Sequence, residues 1–363
     1  MSQLSNACLI AGLALAGAAS AQEPPAGDDP YAWLEKVDDK ASLDWVKARN
    51  AKAEAEIATT AEFKSLEAEI LAILDSNAKI PGVEKIGGYY YNFWKDKQHE
   101  RGLWRRTTLA EYRKPNPAWE TVLDLDALNV AEGRKDEDKW VWHGADCLRP
   151  AYERCLVALS PGGSDADVTR EFDLTTKQFV KDGFFRAEAK GGLSWIDRDT
   201  VYVYTDFGEG TLTSSGYPNI VKEWKRGTLL ASAKTVHEGK PGDMYIAAGH
   251  DHTPGYERDF VNRTIAFYND ELYLRNKDGS LAKVDAPNSA QKGLHKDWLV
   301  LELREPYEAG GKTWKPGSLI AIDFNAFMAG KREFTTLFEP TDKSSLAGYT
   351  WTRDHLVLNI MED

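Results

Sequence analysis

The chain has 363 residues, 42% hydrophobic and 28% charged, with a formal net charge of −12. That length and balance suit one large or two ordinary globular domains with a sizeable core. The acidic excess argues against a nucleic-acid backbone or an anionic membrane as partner, and no stretch after residue 28 is long and apolar enough to span a bilayer.

The first residues read as an address. Ala7 to Ala19 is a short apolar run, and Ala19-Ser20-Ala21 is a small-residue cleavage pattern before Gln22. Residues 1–21 are therefore expected to be a secretory signal peptide, although no Lys or Arg precedes the run, and the mature protein is expected to be periplasmic or secreted. Cys8 would leave with the signal, so Cys147 and Cys155 remain. An oxidising compartment permits a bridge between them, but strand geometry often forbids one, and two buried free thiols are expected. There is no Cys-x-x-Cys.

Residues 22–79 read as a linker followed by helices. Glu23 to Asp29 is rich in Pro, Gly and Asp. Tyr31 to Lys36 reads as a short helix with Pro30 at its start. Leu43 to Thr59, rich in Ala, Lys and Glu, reads as a second. Ala61 to Asn77 is the clearest: Phe63, Leu66, Ile70, Ile73 and Leu74 form one apolar stripe, with Thr60 as N-cap. Such a stripe belongs in a core.

From Ile80 onward the pattern becomes all-β. Runs rich in Tyr, Trp, Val, Phe and Thr alternate with turn clusters. Strands are predicted at Tyr89–Trp94, Leu103–Thr107, Glu120–Leu125, Lys139–His143, Tyr152–Ser160 and Val168–Leu174. More follow at Thr200–Thr205, Ile220–Trp224, Phe260–Tyr268, Glu271–Arg275, Trp298–Arg304, Ser318–Asp323 and His355–Ile360. Asp270, Asp278-Gly279 and Gly310-Gly311 punctuate them as turns. The strands fall into five groups from Tyr89 to about Pro340, with a sixth starting at Leu346. On pattern alone a propeller, a sandwich or a barrel fits.

Few constellations offer chemistry. Gly162-Gly163-Ser164-Asp165-Ala166 nearly matches the Gly-x-Ser-x-Gly nucleophile elbow. The elbow needs a helix after its serine, whereas an alternating strand pattern follows Ser164, so a hairpin turn is expected. Thr213-Ser214-Ser215-Gly216 lacks the elbow spacing. His250-Asp251-His252 would put two imidazoles on one side of a strand, but the flanking Gly249, Pro254 and Gly255 suggest a solvated loop. Asp136-Glu137-Asp138 follows Gly133-Arg134-Lys135 and reads as an exposed turn. The 12 Trp and 15 Tyr are expected mainly in cores. No Gly-rich phosphate loop or dinucleotide fingerprint occurs. No catalytic or metal-binding residue is assigned, substrate-binding residues stay unknown, and no cofactor is expected.

The segment RCLVALSPGGSDADVTREFDLTTKQFVKDGFF, then Lys190, Ser194-Trp195, TDFGEGTLTSSGYP and VKEWKRGT, resembles the propeller domain of the prolyl oligopeptidase family of serine peptidases. Asp29-Pro30-Tyr31-Ala32-Trp33-Leu34-Glu35 is similar to that family's N-terminal signature. Gly88-Tyr89-Tyr90-Tyr91, Lys315-Pro316-Gly317-Ser318-Leu319, Leu337-Phe338-Glu339-Pro340 and Thr352-Arg353-Asp354 extend the likeness. The resemblance implies a mainly β fold, a seven-bladed-type propeller over residues 80–363 preceded by N-terminal helices. About five to six blades are present, so the ring is expected to be incomplete. It also implies that the helical segment packs on a C-terminal α/β-hydrolase domain carrying Ser, Asp and His, which these residues do not include.

Three functions are carried forward. The first is the N-terminal and gating part of an exported endopeptidase for short proline-containing peptides, inactive by itself. The second is a non-catalytic binding or scaffold propeller. The third, an enzyme such as a glycosidase with its site in the propeller channel, lacks an identifiable carboxylate pair. The partners implied are short peptides.

Overall fold

Residues 29–363 are described by a computed structural model, in two compact units that divide between Asn77 and Ala78. In the first unit, a single 3-10 turn spans Ala32–Glu35, shorter than expected. Helix α1 (Lys40–Ala53) is capped by Asp39, whose carboxylate accepts from Ala41 N–H. A wider π-type turn, Glu54–Ala58, continues it. Helix α2 (Ala61–Asp75) starts where expected: Thr60 Oγ1 accepts from Phe63 N–H at 3.2 Å. The small core here is aromatic. Trp45 packs near Tyr31 and Trp33, and buried Ser42 donates to Trp33 O. No residue of α2 is buried; Leu66, Ile70 and Ile73 are 52%, 49% and 69% exposed.

The second unit is a β-propeller, as the resemblance implied. Blade 1 takes β1 (Glu84–Ile86), β2 (Tyr89–Trp94), β3 (Leu103–Thr107) and β4 (Glu120–Asp124), with a short helix α3 (Leu109–Tyr112) between β3 and β4 and another, α4 (Leu125–Ala131), after β4. Blade 2 takes β5 (Trp140–Cys147), β6 (Arg154–Pro161), β7 (Asp167–Asp173), β8 (Gln178–Phe179) and β9 (Phe185–Ala189), the last two both pairing with β7. Blade 3 is β10 (Gly192–Asp197), β11 (Thr200–Tyr204), β12 (Ile220–Lys225) and β13 (Lys234–Glu238). Blade 4 is β14 (Tyr245–Asp251), β15 (Arg258–Ala266), β16 (Asn269–Arg275) and β17 (Leu281–Lys283). Blade 5 starts with β18 (Gln291–His295) and β19 (Trp298–Glu302). A side hairpin, β20 (Tyr307–Ala309) and β21 (Lys312–Trp314), precedes β22 (Leu319–Asp323), α5 (Phe324–Met328) and β23 (Thr335–Phe338). Then come β24 (Ser344–Trp351) and β25 (Leu356–Glu362), a two-stranded sheet. Five sheets and a sixth of two strands match the count read from the strand groups.

Period-two alternation builds the stack. Successive strand residues face opposite sides of a sheet. In β11, Val201 and Val203 pack with Leu156 and Phe184 of blade 2, whereas Tyr202 between them packs with Ile246 and Val261 of blade 4. In β19, Leu299 and Leu301 face Leu272 of blade 4, and Val300 faces Leu346 and Leu358 beyond it. These two central strands are thus buried on both faces, so β11 and β19 read as nearly continuous apolar runs.

The expectation of free thiols is corrected. Cys147 and Cys155 form a disulfide across β5 and β6, with Cα atoms 4.0 Å apart. The adjoining pair, Leu148 and Arg154, carries the ladder bond, so Cys147 faces Cys155 in the closer, non-hydrogen-bonded kind of pair. Strand geometry here favours the bridge.

Candidate functional site

Each blade presents its first strand at one edge of the sheet, and β1, β5, β10, β14, β18 and β24 take that place in turn. Of the groups that sequence reading weighed, His250-Asp251 lies on such a strand, β14. The loop reading of His250-Asp251-His252 is corrected at its start, since β14 runs on through Asp251. His250 follows Ile246 and Ala248 on one face, directly opposite Asp259 on β15. Its Nδ1 lies 3.0 Å from Asp259 Oδ1. The same oxygen accepts from Tyr202 Oη at 2.8 Å, and Tyr202 Oη accepts from Arg275 Nη1 at 3.0 Å. Arg275 closes the row on Glu223 at 2.9 Å. Register places these groups. His250, Asp259 and Arg275 are cross-strand neighbours in blade 4, and Tyr202 and Glu223 are neighbours in blade 3. A polar tie therefore links two blades inside an apolar interface.

The electrostatics follow from the contacts. The Asp259 carboxylate raises His250 above its ordinary value of 6.5, against a smaller opposing effect of burial. Burial pulls Asp259 upward, but the bonds from His250 and Tyr202 outweigh it and hold the carboxyl low. His252, 4.5 Å from His250 ring to ring, is pushed down by burial and by His250. Its Nε2 lies 3.2 Å from Trp195 O. Among the described residues, no three His, Cys, Asp or Glu side chains converge as metal ligands.

Ser164 sits in the turn between β6 and β7, as expected. Gly162 and Gly163 adopt φ of +66° and +87°, and a Cβ on Gly162 would lie 2.5 Å from Glu137 O. Ser164 Oγ meets only backbone of Ala166, and no helix follows it. Asp136–Asp138 forms one exposed 3-10 turn, with Asp136 paired to Lys139 at 2.6 Å.

Sequence reading missed the buried ion pairs. Glu171, buried on β7, accepts from Arg226 Nη1 at 2.7 Å and from Phe184 N–H at 2.9 Å. Arg186 is buried on Asp167 and Thr169. Arg263 pairs with Asp243 at 2.5 Å and with Glu271 at 2.8 Å. The partners of Glu171 and Arg226 stand 55 positions apart, which no local pattern signals. The aromatic residues do fill cores, Trp104, Trp140, Trp195, Trp224 and Trp314 among them. Trp298, 43% exposed, departs from that, and so does Trp142. It is half-buried and lines a cleft of about 440 Å³ between blades 1 and 2.

Comparison with known proteins completes the description. The model of the prolyl oligopeptidase N-terminal β-propeller domain matches residues 19–256. An uncharacterized peptidase of Sinorhizobium fredii is 36% identical over 346 residues, covering 92% of this chain and 47% of the relative. Another, from Rickettsia prowazekii, is 30% identical over 344 residues, covering 90% of this chain and 47% of its own length. Among solved structures, a post-proline cleaving enzyme from Rickettsia typhi superposes with a TM-score of 0.81 at 30% identity, over 91% of this chain and 50% of that one. The chain spans about half the length of the curated relatives it matches.

Proposed function

The chain belongs to the prolyl oligopeptidase family, and on that premise we propose that it forms the N-terminal segment and gating propeller of an exported serine endopeptidase for short proline-containing peptides. The observation that carries this reading is the overlap of nearly the whole chain with half of a post-proline cleaving enzyme. Peptide hydrolysis needs a nucleophile with a positioned base and oxyanion donors. Ser164, the serine nearest elbow spacing, has only backbone partners in its turn. The reading therefore assigns the chemistry to a further domain and a steric role to the propeller. A ring of blades above a catalytic cleft admits an extended peptide and excludes a folded protein. The apolar face of α2 supports the same division, since Leu66, Ile70 and Ile73 are exposed and the surface of a second domain would bury them. Export is supported by the Cys147–Cys155 bridge, which an oxidising compartment maintains. The expected signal peptide falls outside the described residues.

The gene downstream of codon 363 tests the assignment. It should encode Gly-x-Ser-x-Gly, then Asp, then His, and the product of the whole frame should cleave a chromogenic proline peptide and spare folded proteins. Turnover by the 363-residue chain that Ser164→Ala abolishes would refute the division of labour. Amino-terminal sequencing of the periplasmic protein should begin near Gln22; an intact Met1 in the cytosolic fraction would remove export from the proposal.

A further inference from the structure

The cleft beside Trp142 is built by one break in a strand. Trp142 pairs with Leu159 and Gly144 with Ala158, so His143 is an extra residue, a β-bulge on the first strand of blade 2. Gly144 follows at φ +132°, a conformation that side chains rarely adopt, and a Cβ there would meet nothing within 4 Å. The bulge turns the strand, and the missing side chain leaves the space open. Its volume, about 440 Å³, is within the range of small-ligand sites.

The walls are aromatic. Phe93 and Trp142 stand 5.1 Å apart with their rings 9° from parallel. Trp104 lies 5.2 Å from Trp142, and Tyr91 lies 5.3 Å from Trp104. Among the lining residues the only charged side chain is Glu84. It is exposed on β1, directly across from Tyr91, and it forms no ion pair among the described residues. The nearest candidate cation in that cross-strand row, Arg106, is engaged by Glu120 at 2.6 Å and by Tyr91 Oη at 3.1 Å.

Aromatic faces and a free carboxylate share one preference, for a cation. Blade 1 already makes such a contact elsewhere, where the Arg105 guanidinium lies 4.1 Å from the Trp94 ring and 4.3 Å from the Trp119 ring. We propose that the cleft between blades 1 and 2 binds the cationic side chain of an arginine or lysine in a peptide. The flat guanidinium lies against the indole of Trp142 while Glu84 holds its charge from the open side. The chain's net charge of −12 draws such a peptide in. That the ligand is a peptide rests on the function proposed above; that it is cationic rests on the cleft alone.

The test uses N-acetyl-arginine amide and its uncharged citrulline counterpart, titrated into the 363-residue chain with tryptophan emission as readout. The arginine probe should saturate, and the citrulline probe should bind about tenfold more weakly. Glu84→Gln should weaken the arginine probe about threefold and leave the citrulline probe unchanged. Added salt should act in the same direction as that variant. Glu84 is exposed, so the variant folds. Equal binding of the two probes, an unchanged Glu84→Gln titration, or no saturation would overturn the proposal. The titration needs no hydrolysis, so its failure and the failure of the peptidase reading are told apart by the chromogenic assay.

Discussion

Breaking the Cys147–Cys155 bridge tests the structure of blade 2. The bonded residues are 8 positions apart, and in the chain-entropy description a loop of that length stabilises the fold by about 2.5 kcal/mol. The figure is an upper value, because a short hairpin is already restrained in the unfolded chain. Cys155 is fully buried beside Val157 and Leu159, so Cys155→Ala adds a small packing loss to the lost cross-link. With a urea m-value of about 3 kcal/mol/M, reduction should lower the midpoint by up to about 0.8 M. The assay is urea unfolding followed by tryptophan emission, with and without reductant, and alkylation followed by mass spectrometry to count thiols. Alkylation of both Cys147 and Cys155 in the native oxidised chain would refute the bridge. An unchanged midpoint after complete reduction would refute its energetic role.

Glu171→Ala removes the acceptor of both Phe184 N–H and the Arg226 guanidinium, and should cost about 3 kcal/mol. Glu171→Gln should cost about half of that, because it keeps an acceptor and Arg226 retains Arg198 O and Asp199; exposed Glu137→Ala is the control, and equal urea midpoints for all three variants would contradict the reasoning. His250 is raised by Asp259, so its contribution is fully present below its ordinary pKa of 6.5 and is lost as pH rises through the raised value. The stability gap between wild type and His250→Gln should therefore be larger at pH 6 than at pH 8.5, and a gap that widens with pH would reverse the assignment. On β25, Leu356 and Leu358 pack against Val300 while Val357 stays 48% exposed, so the chain should self-associate with concentration in light scattering, less so as Val357→Lys.

What was legible in the sequence was apolar and local. Tyr89–Trp94 and Leu103–Thr107 are legible to the residue because they carry aromatic and β-branched side chains between clear turns. Thr60 was read as a cap because its hydroxyl acts three residues away. The strands that the pattern misses include apolar ones, Gly192–Asp197 and Tyr245–Asp251, and polar or short ones. Lys234–Glu238 is the last strand of its blade, and Gln291–His295 the first of its own; neither is buried on both faces, so neither reads as an apolar run. The strand predicted at Lys139–His143 runs on to Cys147 in β5, past the bulge at His143. The propeller itself was not in the periodicity. Strand count fits a sandwich as well, and family likeness decided between them.

The same physics explains why the candidate sites hid. In a propeller, regular alternation is spent on contact between blades: one residue of a strand faces the preceding blade and the next faces the following one, as Val201, Tyr202 and Val203 do. A group with other work must interrupt that pattern. His143 interrupts it with an extra residue, and Gly144 with a missing side chain, and beside them Trp142 is left half-buried in an open cleft. His250 keeps the alternation but puts a titratable ring where Ile246 and Ala248 predict another apolar residue. Asp259, nine positions on, makes that ring tolerable there, and Tyr202, from the neighbouring blade, completes it. Local pattern thus reports stacking, and its violations report the remainder. In this chain those violations lie on the first strands of blades 2 and 4, where the sheets present an edge.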